Sequence, residues 1–425
     1  MYLFLDCKIH KFITMRKKIT ITLSSFLNTQ SSNKVKLTNP DSNLGLDKLK
    51  SNYLTRLFKT FTFCLIISLS SCMQVPNLDG DYDNLGSDDW RALVLAEGQF
   101  GYGTGSITGL SYNSVVKQDL FRTVNGRTLG DVPQSITRIG DKFYIPVNNS
   151  QKIEVIDANT FKSIETMKID QVCIPMHLVQ ISEDEALLTD QSFKGSSNLF
   201  IIDLKHNTER PIVKRTIPLK HSTFQAKVVG DKIFIGGSSL LVFDLDNITT
   251  EGKREVADLD GSNCSVNGFT ELCLDAQGKL WVMTTGGVAR VNPDTEKVEK
   301  IIPIDGVDQY RDNIAIDKDA KYIYFNEGVN IYRINTFDGK HELLFTHSQN
   351  DEMWTTYCIA VSPENTIFMT RVLFGSISRA KVYEYNTKGE ILKKYPDPKP
   401  AKAGRLNNYF KAGIFPRFIY FYDKK

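Results

Sequence analysis

Lys152-Ile153-Glu154-Val155-Ile156-Asp157 decides the fold. Apolar and polar residues alternate with the period of a half-buried strand, and the run stops on Asp157 before a polar turn. An Asp or Asn there bonds the backbone two residues on and tolerates unusual dihedrals, so it caps a strand into a hairpin. The phrase recurs as Gly109-Leu110-Ser111-Tyr112-Asn113, Leu199-Phe200-Ile201-Ile202-Asp203, Leu240-Leu241-Val242-Phe243-Asp244, Val288-Ala289-Arg290-Val291-Asn292, Ile331-Tyr332-Arg333-Ile334-Asn335 and Val382-Tyr383-Glu384-Tyr385-Asn386. Its anchors at 113, 157, 203, 244, 292, 335 and 386 are spaced 44, 46, 41, 48, 43 and 51.

A second phrase lies upstream of several anchors. Gly140-Asp141-Lys142, Gly230-Asp231-Lys232, Gln277-Gly278-Lys279 and Asp319-Ala320-Lys321 each precede an apolar run and read as hairpin turns feeding buried strands. Each repeat then holds about four short strands, and a four-stranded antiparallel unit with a period in the forties is a propeller blade. Seven anchors predict an all-β, seven-bladed β-propeller over residues 90–425. The first repeat opens on its second strand, Trp90 to Leu95, while a surplus segment, Gly413-Ile414-Phe415-Pro416 through Asp423, ends the chain. The C-terminal strand is therefore expected to complete the first blade and remove exposed sheet edges.

Composition agrees. Of 425 residues, 41% are hydrophobic and 24% charged, which excludes a disordered chain, and the 11% aromatic share favours pleated structure. The net charge of +3 joins two unlike segments: residues 1–71 carry 11 Lys/Arg against 3 Asp/Glu, leaving 41 against 46 for residues 72–425. An acidic body lacks the basic footprint of a nucleic-acid binder, so no nucleic-acid partner is expected.

Lys48, Lys50, Arg56 and Lys59 precede an apolar run from Phe61 to Leu69 that ends in Leu69-Ser70-Ser71-Cys72. That run is too short to span a bilayer and fits a secretory signal, and small residues before a Cys resemble a bacterial lipobox. Residues 1–71 are expected to be a basic leader and lipoprotein signal, with 1–47 upstream of the true start. Lipidation at Cys72 and an acidic tether over 72–89 would follow, giving an outer-membrane, lipid-anchored protein on the cell surface or the periplasmic face. Cys173, Cys264, Cys273 and Cys358 match no zinc spacing and read as buried thiols, with a Cys264–Cys273 disulfide as the alternative.

The loops that enter each innermost strand and the loops between second and third strands share one face of a propeller. The strand entries supply Gln134, His177, Phe224, Gln225, Asn267, Phe269, Tyr310, Arg311, Asn313, Trp354 and Tyr357 as ligand-binding candidates, and the other loops supply Asn148, Asn326 and Arg371. Aromatics with amides suit a large, partly apolar organic ligand. No GxSxG, HExxH or P-loop pattern occurs, so no catalytic residue and no cofactor is expected. Gly101-x-Gly103-x-Gly105 runs into a strand and reads as a turn. A divalent metal held by Glu271, Glu327 and Glu352 with Asn267, Asn313 and Asn326, as in a lactonase-type propeller enzyme, is an alternative reading. A protein-interaction scaffold is another.

Glu97-Gly98-Gln99-Phe100-Gly101, Asn125-Gly126-Arg127-Thr128-Leu129-Gly130-Asp131-Val132, Asn148-Asn149-Ser150 and Gly413-Ile414-Phe415-Pro416 resemble YncE-like seven-bladed propeller lipoproteins of Bacteroidetes. The resemblance implies BtuG-type capture of cobalamin or another large nutrient for a TonB-dependent outer-membrane transporter. These phrases belong to the scaffold, so the ligand is implied less directly than the fold.

Overall fold

The computed structural model describes residues 89–191, 197–207, 211–237, 239–256, 259, 272–284, 286–303, 313–348, 354–373, 379–392, 395–396 and 406–423. The leader over 1–71, the tether to residue 88, the lipidation residue Cys72 and the candidates Asn267, Phe269, Tyr310 and Arg311 lie outside them. So do Cys264, Glu271 and Glu352.

Seven four-stranded antiparallel sheets follow one another, as the repeat predicts. Blade 2 is Thr137–Ile139, Lys142–Val147, Lys152–Asp157 and Ser163–Lys168, and its strands pair in that order from the inside outwards. Blades 3 to 6 repeat the scheme, with innermost strands Pro175–Gln180, Thr223–Val229, Cys273–Leu274 and Ile314–Ile316. Blade 7 begins with Thr355–Val361 and inserts a small hairpin, Tyr395–Pro396 with Leu406–Asn407, before its outer strand Tyr409–Lys411.

Blade 1 is built from both ends of the described chain. Trp90–Ala96 pairs on one side with Ser106–Ser111 and on the other with Pro416–Phe421, which takes the innermost place. The sequence's first repeat lacks an inner strand for this reason.

Strand alternation closes the ring. In Lys142–Val147, Phe143 and Ile145 pack toward blade 1 with Leu93, Leu95 and Ile107, whereas Tyr144 packs toward blade 3 with Leu178 and Leu188. Every blade does the same, so seven apolar clusters fill seven seams. The last seam joins Phe368, Val382 and Phe410 of blade 7 to Ala92, Val94 and Ile419 of blade 1. A fully buried side chain of this size contributes ~1.5–3 kcal/mol.

The anchors act as expected at five positions. The Oδ1 of Asp157 accepts the Asn159 and Thr160 amides, Asp203 accepts Lys205, Asn292 accepts Asp294, Asn335 accepts Phe337, and Asn386 accepts Lys388 and Glu390. Asp244 differs: its carboxylate grips Arg254 through two bonds of 2.7 and 2.9 Å. Asn113 lies beyond its strand and donates to Asp89. The turns at Gly140, Gly230 and Gly278 all use positive φ, and Ala320 adopts φ 54° in the fourth.

The bulged channel mouth

One extra residue interrupts the innermost strand of five blades near its entrance. In blade 3 the register passes from Pro175↔Asp190 to Leu178↔Leu188, and in blade 4 from Thr223↔Gly237 to Ala226↔Ile235. Blade 7 passes from Thr356↔Arg371 to Cys358↔Thr370, and blade 1 from Phe418↔Leu95 to Pro416↔Ala96. In blade 2, Pro133 faces Val147 while Thr137 faces Tyr144. A bulge re-aims the side chain it carries. Ser135, His177, Gln225, Tyr357 and Arg417 therefore sit at corresponding places around the mouth, with Gln134 one position before Ser135. The residues before Leu272 in blade 5 and before Asn313 in blade 6 lie outside the described residues.

Glu97 ties the blade 1, 2 and 7 side of this mouth together. Its carboxylate accepts Gln134 Nε2 at 2.8 Å and Tyr357 Oη at 2.7 Å. The Arg417 guanidinium stands 5.6 Å from the Tyr357 ring centre, and the Phe415 ring 5.5 Å from it on a tilted contact. Burial, followed by the Glu97 charge, raises the Tyr357 phenol well above its ordinary range, so it stays a hydrogen-bond donor at neutral pH. The hairpin from Glu97 to Gly105 is pinned by Gly98, whose φ is +81° and whose added Cβ would meet the Thr104 backbone at 2.5 Å.

On the blade 3 and 4 side, the Ala226 amide donates to His177 Nδ1 at 3.3 Å. That contact makes Nδ1 an acceptor and leaves the proton of the neutral ring on Nε2. Burial, then the Lys227 charge, pushes the His177 pKa down to about 4. Phe224 is nearly buried, and the Thr189 hydroxyl lies between its carbonyl and that of His177.

The remaining described candidates have other places. Asn148 is buried, with its amide group against Met176 Sδ. Asn326 Oδ1 accepts the Asn313 amide at 2.9 Å, and Asn313 Nδ2 reaches the Tyr357 carbonyl at 3.3 Å, so this pair supports the bulged residue from behind. Arg371 is buried and donates to Thr356 Oγ1 at 3.1 Å. Trp354 is not with the mouth cluster; its ring lies against Lys381, over the outer half of blade 7. Of the carboxylates in the metal reading, Glu327 accepts Tyr332 Oη. Among the described residues no group of three or more His, Cys, Asp or Glu side chains is placed to hold a metal ion.

Glu97, Phe415 and Arg417 complete the mouth and were absent from the sequence candidates. The signal existed: Glu97 opens the loop between the second and third strands of blade 1, and Arg417 enters its innermost strand. Both were hidden because blade 1 is assembled from two chain ends.

Comparison with curated protein sequences gives no match. Among solved structures, the chain is similar to a candidate 6-phosphogluconolactonase from Bacteroides fragilis, with TM-score 0.52 and 12% identity over 80% of this chain and 100% of that one. It is also similar to Kuenenia stuttgartiensis hydrazine synthase, with TM-score 0.45 and 16% identity over 59% of this chain and 76% of that one. At 12% identity the likeness to the Bacteroides fragilis structure shows the fold alone. Residues 92–307 match the family model described as domain of unknown function DUF5074, and the chain belongs to that family.

Proposed function

We propose that this propeller is a binding protein that holds a large, partly apolar organic ligand over its channel mouth. The recurrence of the strand bulge carries this reading. Five innermost strands each give up a ladder position at the same level, and the residues there are a phenol, an amide, an imidazole, a guanidinium and a buried serine, with the Gln134 amide beside the serine. A ligand with a broad ring system and peripheral amides matches that set, and a corrinoid is the first choice.

Around this core stand the finer parts of the proposal. A lipid on Cys72 would hold the propeller at the outer membrane, and a TonB-dependent transporter would receive the ligand. Phe100 and Tyr102, 46% and 64% exposed on the hairpin that Glu97 opens, supply an apolar lip that a partner protein could cover.

Calorimetric titration of the full chain with cyanocobalamin tests the reading. Saturable heat is expected, weakened about tenfold or more by Gln225→Ala. Absence of heat at micromolar protein removes the corrinoid, and equal binding by the variant removes the mouth.

A further inference from the structure

The channel mouth has two unlike halves. On the side of blades 1, 2 and 7 its polar groups answer one another, since Gln134 Nε2 and Tyr357 Oη both donate to Glu97. On the side of blades 3 and 4 they do not. Among the described residues, His177 Nε2 and the Gln225 side-chain amide make no hydrogen bond, and both side chains are half-buried yet in reach of solvent.

One peptide link makes these two residues neighbours. The amide that donates to His177 Nδ1 is that of Ala226, so the ring rests against the link between Gln225 and Ala226. Each residue lies within the bulge of its strand, before Leu178 in blade 3 and before Ala226 in blade 4. The His177 backbone is held too: its amide donates to Thr189 Oγ1 at 3.0 Å, and its carbonyl accepts from that hydroxyl at 3.2 Å. A donor of fixed position therefore stands beside an amide that no described residue occupies.

Hydrogen-bonding capacity selects the ligand. With Nδ1 accepting and the ring neutral, Nε2 offers a donor and nothing else, whereas Gln225 offers donor and acceptor together. A carboxamide matches both, because its oxygen accepts from His177 Nε2 and Gln225 Nε2 while its own amide hydrogens donate to Gln225 Oε1. A carboxylate has no hydrogen for Gln225 Oε1. It would also give up water beside a ring that burial, then the Lys227 charge, keeps neutral. The Lys227 charge by itself favours an anion, which makes the acid the informative competitor. We propose that His177 and Gln225 form a recognition pair for a carboxamide group on the ligand. The pair deepens the binding reading of the mouth and rests on it.

The chain has six histidines, so isotopic labelling of the histidine nitrogens in the full chain gives a short magnetic-resonance spectrum. His177 is assigned by the signal lost in His177→Gln, and benzamide and benzoate are titrated separately. Benzamide is expected to shift the His177 Nε2 proton saturably, with a dissociation constant about tenfold or more below that of benzoate. Gln225→Leu, which removes no hydrogen bond present in the fold, is expected to keep the unfolding midpoint and weaken benzamide about tenfold or more. Benzoate binding as tightly as benzamide, benzamide binding that leaves the His177 signal in place, no benzamide binding, or unchanged affinity in the variant each overturns the pair. Heat with cyanocobalamin in that event leaves the mouth standing as a ligand site, and absence of that heat removes the mouth with the pair. If Gln225→Leu fails to fold, Gln225→Met replaces it, with the same loss of affinity expected and the same result overturning the pair.

Discussion

Arg91 and Glu384 stand 293 residues apart in sequence and 2.8 Å apart in the fold, both almost wholly buried. The contact joins the first blade to the last. Glu384 also accepts Thr366 Oγ1 at 2.7 Å and the Tyr395 hydroxyl, while Arg91 reaches Glu364 at 3.1 Å. Removing one member of a buried pair strands the other charge and costs ~3–5 kcal/mol. Arg91→Met should therefore lower the unfolding free energy by about that much in urea titration. Arg91→Met with Glu384→Leu should lose less than Arg91→Met alone.

The second closure device is Pro416–Phe421, the innermost strand of blade 1. Phe418 and Tyr420 pack into the seam with blade 2, and Ile419 into the seam with blade 7. Deleting residues 414–425 opens both seams at once. Circular dichroism should then show no cooperative thermal transition; an unchanged melt would contradict the clasp.

His177 gives the fold a pH dependence whose sign is fixed. Its folded pKa is about 4, against ~6.5 for an unfolded histidine. Below ~6.5 the unfolded chain gains a proton that the folded ring refuses, so the contribution of this residue is full above that pH. It is lost as pH falls toward about 4 and is flat below, by ~3 kcal/mol at most. His177→Gln should lose less stability than the parent between about pH 7.5 and about pH 4.5. Parallel denaturation curves for the two proteins would refute this.

Tyr357→Phe removes the phenol from Glu97 and leaves Gln134 as that carboxylate's partner. Hydrogen bonds to charged groups contribute ~1.5–3 kcal/mol. The urea midpoint should fall accordingly with an unchanged slope, since no further surface is exposed.

The architecture was legible because each blade repeats one local rule. Asp157, Asp203, Asn292, Asn335 and Asn386 end the third strands of their blades through bonds within the turn itself, and such signals survive in a linear sequence. The mouth was half legible. Gln134, His177, Gln225 and Tyr357 were found from their place before a strand, but the bulge that re-aims His177, Gln225 and Tyr357 is a mismatch between two strands and is written in neither alone. Asn148, Asn313 and Asn326 sit in the right loops, yet their amides are drawn into neighbouring backbone or sulfur contacts.

Hydrogen exchange of the full chain with and without saturating cyanocobalamin probes the central claim most directly. Slowed exchange in the segments that hold Gln134, His177, Gln225 and Tyr357, and at the hairpin after Glu97, is the predicted result. Unchanged exchange there, or protection confined to the outer strands of the blades, would contradict the account.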